Sequence, residues 1–214
     1  MLHVLQIFAY LKSHLNSRLV LDLVTKDWLD REWMSVDWLE FYLDAMETLP
    51  LNALEPQGVL IQMNVFMDAA HVTNLVTRHS IMGILIFLIG ALVKWYYKCQ
   101  NTIESSTFGL EFVVVKITVE MVEGLRYKLH MMGILLDGLA NGFCNNNSVV
   151  TNASNPALML KKKHNSTMYH KVRESTAAGT IRFTYEPGKL NLADMLTKIL
   201  PAKKLKECVQ CCLF

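Results

Sequence analysis

The sequence is poor in the features of a disulfide-framed, secreted or membrane-spanning chain. Its five cysteines, Cys99, Cys144, Cys208, Cys211 and Cys212, are an odd number without regular spacing. That argues against a disulfide framework and for a reducing compartment. Cys208 and Cys211 have no second Cys or His pair at the spacing of a zinc knuckle. Cys211-Cys212-Leu213-Phe214 formally fits a prenylation box, a pattern too loose to weigh alone. The N-terminus lacks the charged-then-apolar order of a signal peptide, so a cytoplasmic or nuclear protein is expected. The uncharged run at 81–93 falls short of the ~20 residues a bilayer needs. Gly83 and Gly90 divide it into strand-sized pieces, expected as two buried antiparallel strands over 82–89 and 92–97. A transmembrane span there, and with it a small membrane-associated protein, is the disfavoured reading.

Net charge is also small, +2, but unevenly spread. Residues 22–56 carry nine acids against Lys26 and Arg31, while residues 57–214 carry seventeen Lys and Arg against ten Asp and Glu. A modestly basic body suits a phosphate-bearing partner. The acidic stretch holds Trp28, Trp33 and Trp38, and Pro50 and Pro56 mark a linker after it. We place a boundary at residue 58, with a mainly helical segment before it. Leu2, Leu5, Phe8, Leu11 and Leu15 give that segment a helical stripe.

From Val59 an apolar run leads to a lone carboxylate, Asp68, as in a buried strand that presents an acid at its end. Over 107–130 the period is helical: Leu110, Val114, Ile117, Met121, Leu125 and Leu129 share a face, with Lys116, Glu120, Glu123 and Arg126 largely elsewhere. Ser105, Ser106 or Thr107 can cap this helix. Glu111 sits in its first turns, where the helix dipole favours a carboxylate; capping or a site explains it equally. A short apolar piece at 141–144 runs into Asn145, Asn146 and Asn147, a turn or helix start. Lys161, Lys162, Lys163 and His164, then His170, Lys171 and Arg173, form a basic run read as partly helical. It is either a solvated face or a phosphate-binding one. Ile181, Phe183 and Tyr185 alternate as in a strand, and residues 191–198 form a short helix carrying Asp194. The whole is an α/β layered fold around a mixed sheet.

In that order and spacing, residues 59–200 resemble the ribonuclease H domain of copia-type retrotransposon polyproteins. The resemblance rests on Phe66-Met67-Asp68-Ala69-Ala70-His71, Glu104-Ser105-Ser106-Thr107-Phe108-Gly109-Leu110-Glu111, Phe143-Cys144-Asn145-Asn146 and Asn191-Leu192-Ala193-Asp194-Met195-Leu196-Thr197-Lys198. Leu75-Val76-Thr77-Arg78-His79-Ser80 and Tyr169-His170-Lys171-Val172-Arg173-Glu174 match as well. Residues 1–58 resemble the segment that follows the reverse transcriptase in such polyproteins, and 201–214 would be a C-terminal tail. No Tyr-x-Asp-Asp polymerase motif is present, so the resemblance implies a polyprotein fragment.

The resemblance implies a ribonuclease H-like fold, with a five-stranded mixed sheet flanked by helices. It implies hydrolysis of the RNA strand of RNA–DNA hybrids with two Mg²⁺ ions, which activate water and relieve charge on the leaving oxygen. Carboxylates suit Mg²⁺. The matching metal ligands are Asp68, Glu111 and Asp194. The third of the four site positions in chain order, an acid in the family, is Asn145 here, and an amide brings no charge. Ala70 also replaces a usual Asp. The expectation is therefore an impaired enzyme that still binds hybrid, or a non-catalytic nucleic-acid-binding relic. The loop Glu186-Pro187-Gly188-Lys189 offers no histidine for product release, and His71 is read as structural or groove-lining. The basic run from Lys161 to Arg173 is the candidate for the hybrid backbone, held by shape and 2′-hydroxyls without sequence specificity.

Overall fold

The computed structural model of the chain describes residues 40–70, 79–100, 106–159 and 166–212, with positions 12, 31, 33, 34 and 36–38 before them. The N-terminal helical stripe, Trp28, His71 and the run Lys161, Lys162, Lys163 and His164 lie outside the described residues. Lys12 is helical, and residues 40–56 are turns and irregular chain.

Alternation decides which way the central strands face. In β2 (Met63–Ala70), Val65 and Met67 point to one side, Phe66 and Asp68 to the other; in β3 (Ile81–Leu88), Ile84 and Ile86 oppose Leu85 and Phe87. Each side meets its own core. One holds Val65, Met67, Ile84 and Ile86 under Phe112, Val115, Val119 and Val122 of α1 (Thr107–Met131). The other holds Phe66, Leu85, Phe87 and Phe143 with Leu192, Cys208 and Cys212. Because both faces are covered, β2 and β3 read as near-continuous apolar runs.

The sheet adds β4 (Ala91–Cys99), β6 (Ala140–Cys144) and β7 (Ile181–Tyr185) in the order β4-β3-β2-β6-β7. The pairs β4/β3 and β3/β2 are antiparallel, whereas β2/β6 and β6/β7 are parallel. Helices α2 (Asn147–Ser154) and α3 (Ser166–Ala177) connect β6 to β7. The short α4 (Asp194–Thr197) precedes α5 (Ala202–Gln210), the folded part of the expected tail. The fold class is the expected one, a mixed five-stranded sheet flanked by helices.

Details differ from expectation for local reasons. The apolar run from Val59 is two strands. Val59 and Leu60, 66% and 57% exposed, belong to β1 (Gln57–Ile61), which pairs in parallel with β5 (Ile134–Leu136) in a separate two-stranded sheet. The chain breaks at Gln62, whose carbonyl accepts from the Ile89 amide at 2.7 Å. Ile89 takes φ +56°, so the β3–β4 turn is Ile89–Gly90, one residue earlier than expected. As the edge strand, β4 is buried only at Ala91 and Leu92. Tyr185 is exposed while Phe183 is buried.

One cation expected on an outer face, Arg126, is buried. Arg126 donates to Glu47 Oε1 and Oε2 at 2.5 and 2.7 Å and to the Gly138 carbonyl at 2.8 Å. Trp33 packs edge-on against Phe143 beneath the Arg182 guanidinium, 4.1 Å from its ring. Described residues of the acidic segment thus lie against the body. Among the described residues no helix is long and apolar enough to cross a membrane.

Candidate active site

The parallel β2/β6 pair sets Asp68 beside Asn145. Met67 pairs with Cys144, so the next residue of each chain emerges from the same end of the sheet. Asn145 Nδ2 donates to Asp68 Oδ1 at 2.8 Å. The following residue, Asn146, caps α2, its side chain accepting from the Val149 amide at 3.3 Å.

Asp194 is brought in by a loop pinned to the same strand. Asn191 donates from Nδ2 to the Met67 carbonyl at 2.8 Å and accepts the Ala193 amide on Oδ1 at 3.1 Å. That places α4 over β3. A Cβ on Gly83 would stand 2.7 Å from Leu196 Cβ and 3.0 Å from Thr197 Cγ2, so only a bare α-carbon lets α4 this close.

The result is a buried carboxylate with every oxygen engaged. Asp68 is fully buried, Thr197 Oγ1 donates to its Oδ2, and Lys198 Nζ donates to its Oδ1 at 3.1 Å. Lys198 also bonds Asp194 Oδ1 at 2.8 Å and so bridges the two acids. Burial works against the Lys198 charge, yet its bonds to Asp194 and Asp68 prevail and raise its pKa. Burial also raises Asp194, with Asp68 adding to it and the Lys198 bond opposing.

Glu111 enters from α1. Ser106 is the cap, accepting the Gly109 amide at 3.2 Å, so capping is not the role of Glu111. Its side chain is buried and Oε2 has no hydrogen-bond partner among the described residues. Burial, reinforced by Asp68, pushes its pKa up to about 8, against Lys198 and a bond from the Ala69 amide. Behind it, burial pushes the Cys144 thiol up as well.

The donor set bears on the metal question. Hard oxygen donors are present, but Asn145 presents its amide nitrogen to Asp68, and a nitrogen with two protons ligates no cation. The Lys198 ammonium stands between Asp68 and Asp194, and Glu111 favours its neutral form at pH 7. Among the described residues no three His, Cys, Asp or Glu side chains converge as a ready cation site. The residues do not fit two close divalent ions.

The basic candidates fare differently. Arg173 is buried, not groove-facing. Its guanidinium donates to the carbonyls of Asn152, Pro156 and Leu158 at 3.0, 2.8 and 2.9 Å and to that of Asn155, and it lies 3.9 Å from the Tyr169 ring centre. It clamps the α2–α3 connection. Lys171 pairs with Glu123 at 2.8 Å, and His170 Nδ1 shares a 2.8 Å bond with Tyr42 Oη. Sequence reasoning quoted Lys198 and Thr197 without giving them a role; the signal was the four-residue step from Asp194 to Lys198 on a helix.

No family model matches the chain. It is similar to the retrovirus-related Pol polyprotein from transposon TNT 1-94 of Nicotiana tabacum, 24% identical over 178 residues. The match covers 82% of this chain, which spans only 13% of that polyprotein. LC11 ribonuclease H1, solved in complex with an RNA/DNA hybrid, superposes with a TM-score of 0.50 at 15% identity, covering 64% of this chain and 94% of that one. A second structure of that enzyme, isolated from compost, gives 0.50 at 12% identity over 69% and 98%. The fold is that of ribonuclease H.

Proposed function

We propose that this chain, similar to a retrotransposon Pol polyprotein and folded as a ribonuclease H domain, is a retrotransposon-derived ribonuclease H module that holds RNA–DNA hybrids but hydrolyses their RNA strand weakly. The observation that carries this is the Asn145 Nδ2 to Asp68 Oδ1 bond of 2.8 Å. Where the related motifs have a third charged oxygen, this site has a donor that consumes an oxygen of Asp68. Lys198 completes the replacement: its ammonium bridges Asp68 and Asp194 with cationic charge fixed to the chain.

Divalent metal would supply activated water and relief of charge on the leaving oxygen. The residues themselves offer two bridged carboxylates, a mostly neutral Glu111 and an amide, too little negative charge for two adjacent dications. Binding depends less on that charge, because a duplex near A-form is held through phosphates and 2′-hydroxyls. Lys161, Lys162, Lys163 and His164 are our candidates for those contacts; the burial of Arg173 removes it from them. Localisation in cytoplasm or nucleus belongs to the same proposal.

The test is cleavage of a labelled RNA–DNA hybrid in Mg²⁺ and then Mn²⁺, comparing this chain with Asn145→Asp. The expected result is binding by both and cleavage at least roughly 10²-fold faster by the variant, in line with the weight of one charge-stabilising group at a transition state. Equal cleavage by both, abolished by Asp68→Ala, would show that Asn145 is tolerated and the impairment wrong. Cleavage by neither, with binding by both, would leave the module as a binding relic.

A further inference from the structure

The strand β4 is an open edge: it pairs with β3 on one side and with no described strand on the other. From Lys94 to Cys99 that pairing is regular, and it sorts the side chains onto two faces. Lys94, Tyr96 and Lys98 stand opposite Ile86, Ile84 and Met82, which belong to the core beneath α1. Trp95 stands opposite Leu85, which belongs to the other core, and Tyr97 opposite Gly83. Residues directly opposed across strands share a face. The two lysines therefore lie on the α1 side of the sheet. The two rings lie on the other side, 59% and 58% exposed. On the α1 side a cleft of about 350 Å³ opens between β4 and α1. Tyr96, Ile117, Met121 and Leu125, half-buried against the core, form its floor, and Lys94 and Lys128 stand exposed on its rim. The acid on its wall, Glu120, is answered by Lys116 at 2.6 Å. Lys94, Lys98 and Lys128 have no ion-pair partner among the described residues.

These features select one kind of occupant. An open edge offers its backbone N–H and C=O groups to an added strand. Such a strand sends alternate side chains to opposite faces. Here one face presents two lysines roughly 13 Å apart along the strand, and the other presents two rings. The strand that fits carries acids on one face and apolar side chains on the other. A second copy of this chain does not fit: β4 holds no acid, so pairing two copies edge to edge gathers four lysines and no counter-charge. Lysines on an edge turn such a strand away and admit one that brings acids. A nucleic-acid strand would meet the cations on one face and the rings on the opposite one, and it has no peptide groups for the ladder.

We propose that the β4 edge and the cleft beside it form a docking site for an extended acidic segment of another protein, added to the sheet as a further strand. Its acids face Lys94 and Lys98, and its apolar side chains cover Trp95 and Tyr97. Lys128 adds positive charge from across the cleft. The site uses none of the residues around Asp68, so it stands apart from the function proposed above.

The test is fluorescence anisotropy of the full chain with labelled synthetic peptides: one of alternating Glu and Val, one of alternating Lys and Val, and the Glu–Val peptide with Pro at its centre. A single-stranded oligonucleotide is the fourth probe. The Glu–Val peptide is expected to bind at least roughly tenfold more tightly than the Lys–Val peptide. The central Pro, which removes a ladder hydrogen bond, should weaken it. Lys94→Glu/Lys98→Glu, checked for native circular dichroism, should invert the preference, and Trp95→Ala should weaken the Glu–Val peptide. The Pro arm changes only the peptide, so it decides the matter even if a variant misfolds. Equal binding of the Glu–Val and Lys–Val peptides, or of the Glu–Val peptide with and without Pro, overturns strand addition. Tighter binding of the oligonucleotide than of the Glu–Val peptide, lost in the double lysine variant, makes the edge a nucleic-acid surface and overturns the proposal. Self-association abolished by Trp95→Ala, without peptide binding, makes it a contact between copies and overturns it too.

Discussion

Asn145 donates a hydrogen bond to Asp68: its Nδ2 lies 2.8 Å from Oδ1 of a carboxylate with no exposed surface. The bond makes the site self-sufficient, since Asn145, Thr197 and Lys198 together occupy both Asp68 oxygens. Asn145→Asp exchanges a donor for a second anion against the first. Without divalent metal, this variant should lose about 1.5–3 kcal/mol, the worth of a hydrogen bond to a charged group, with Lys198 still on the same oxygen, and melt several degrees lower. Millimolar Mg²⁺ should restore its melting temperature and leave that of the original chain nearly unchanged. Thermal melts of both proteins with EDTA and with Mg²⁺ decide it; equal Mg²⁺ shifts would contradict the charge argument.

Glu111 fixes the sign of a pH dependence. Its pKa rises from the ordinary carboxyl value of 4.5 to about 8 on folding, mainly through burial. Between those values the folded chain holds a proton that the unfolded chain has lost. Stability attributable to this group therefore falls as pH rises from about 4.5 to 8 and is flat above that. Glu111→Gln removes the titration. The variant should gain stability relative to the original chain as pH rises, on the order of a few kcal/mol by pH 9, and match it near pH 4.5. Urea denaturation from pH 5 to 9 measures the difference; parallel curves would place Glu111 in water instead of in the core.

The sequence made some of this visible and hid the rest for identifiable reasons. Period-2 and period-3.6 patterns locate β2, β3 and α1 because both faces of those strands and one face of that helix are buried. Asp68, Glu111, Asn145 and Asn146 stand out through motif spacing, and Asn146 acts as a helix cap in the expected turn. The pattern does not show where a cation's donors go. Arg126 and Arg173 sit in polar stretches that read as solvated, and only the tertiary fold reveals the Glu47 carboxylate and the loop carbonyls awaiting them. The break at Gln62 is equally silent, since a run from Val59 to Met67 looks like one strand until its first half finds β5.

Arg173 supplies a test of that distinction. A phosphate-binding arginine weakens nucleic-acid binding when removed and leaves stability almost untouched. Arg173 instead donates to the Asn152 carbonyl in the last turn of α2 and to three carbonyls of the connection after it, and Arg173→Ala strands them in a largely buried place. We expect a loss of about 3 kcal/mol or more. Arg173→Lys should recover little, because an ammonium cannot match the planar fork. At temperatures where Arg173→Lys is folded, its hybrid affinity and salt slope should equal those of the original chain. A lowered salt slope with an unchanged melting temperature would return Arg173 to the nucleic-acid surface.

Gly83 and Gly124 make a matched pair, both glycines inside regular elements. A Cβ at Gly124 of α1 meets nothing within 4 Å. Gly124→Ala should therefore stabilise the chain by about 0.5–1 kcal/mol through helix propensity alone. A Cβ at Gly83 meets Leu196 Cβ at 2.7 Å and the Ala193 carbonyl at 3.2 Å. Those contacts involve the backbone and first side-chain carbon of the α4 segment, so the segment itself must move. Gly83→Ala should cost about 1–3 kcal/mol by overpacking, and the movement falls on the element that carries Asp194 and Lys198. Introduced into Asn145→Asp, Gly83→Ala should lower hybrid cleavage at temperatures where the protein is fully folded, whereas Gly124→Ala in that background should leave it unchanged. If Gly83→Ala melts lower but cleaves at full rate, the close approach of α4 serves only packing, and the geometry that joins Asp194 to Asp68 tolerates a shift of that size.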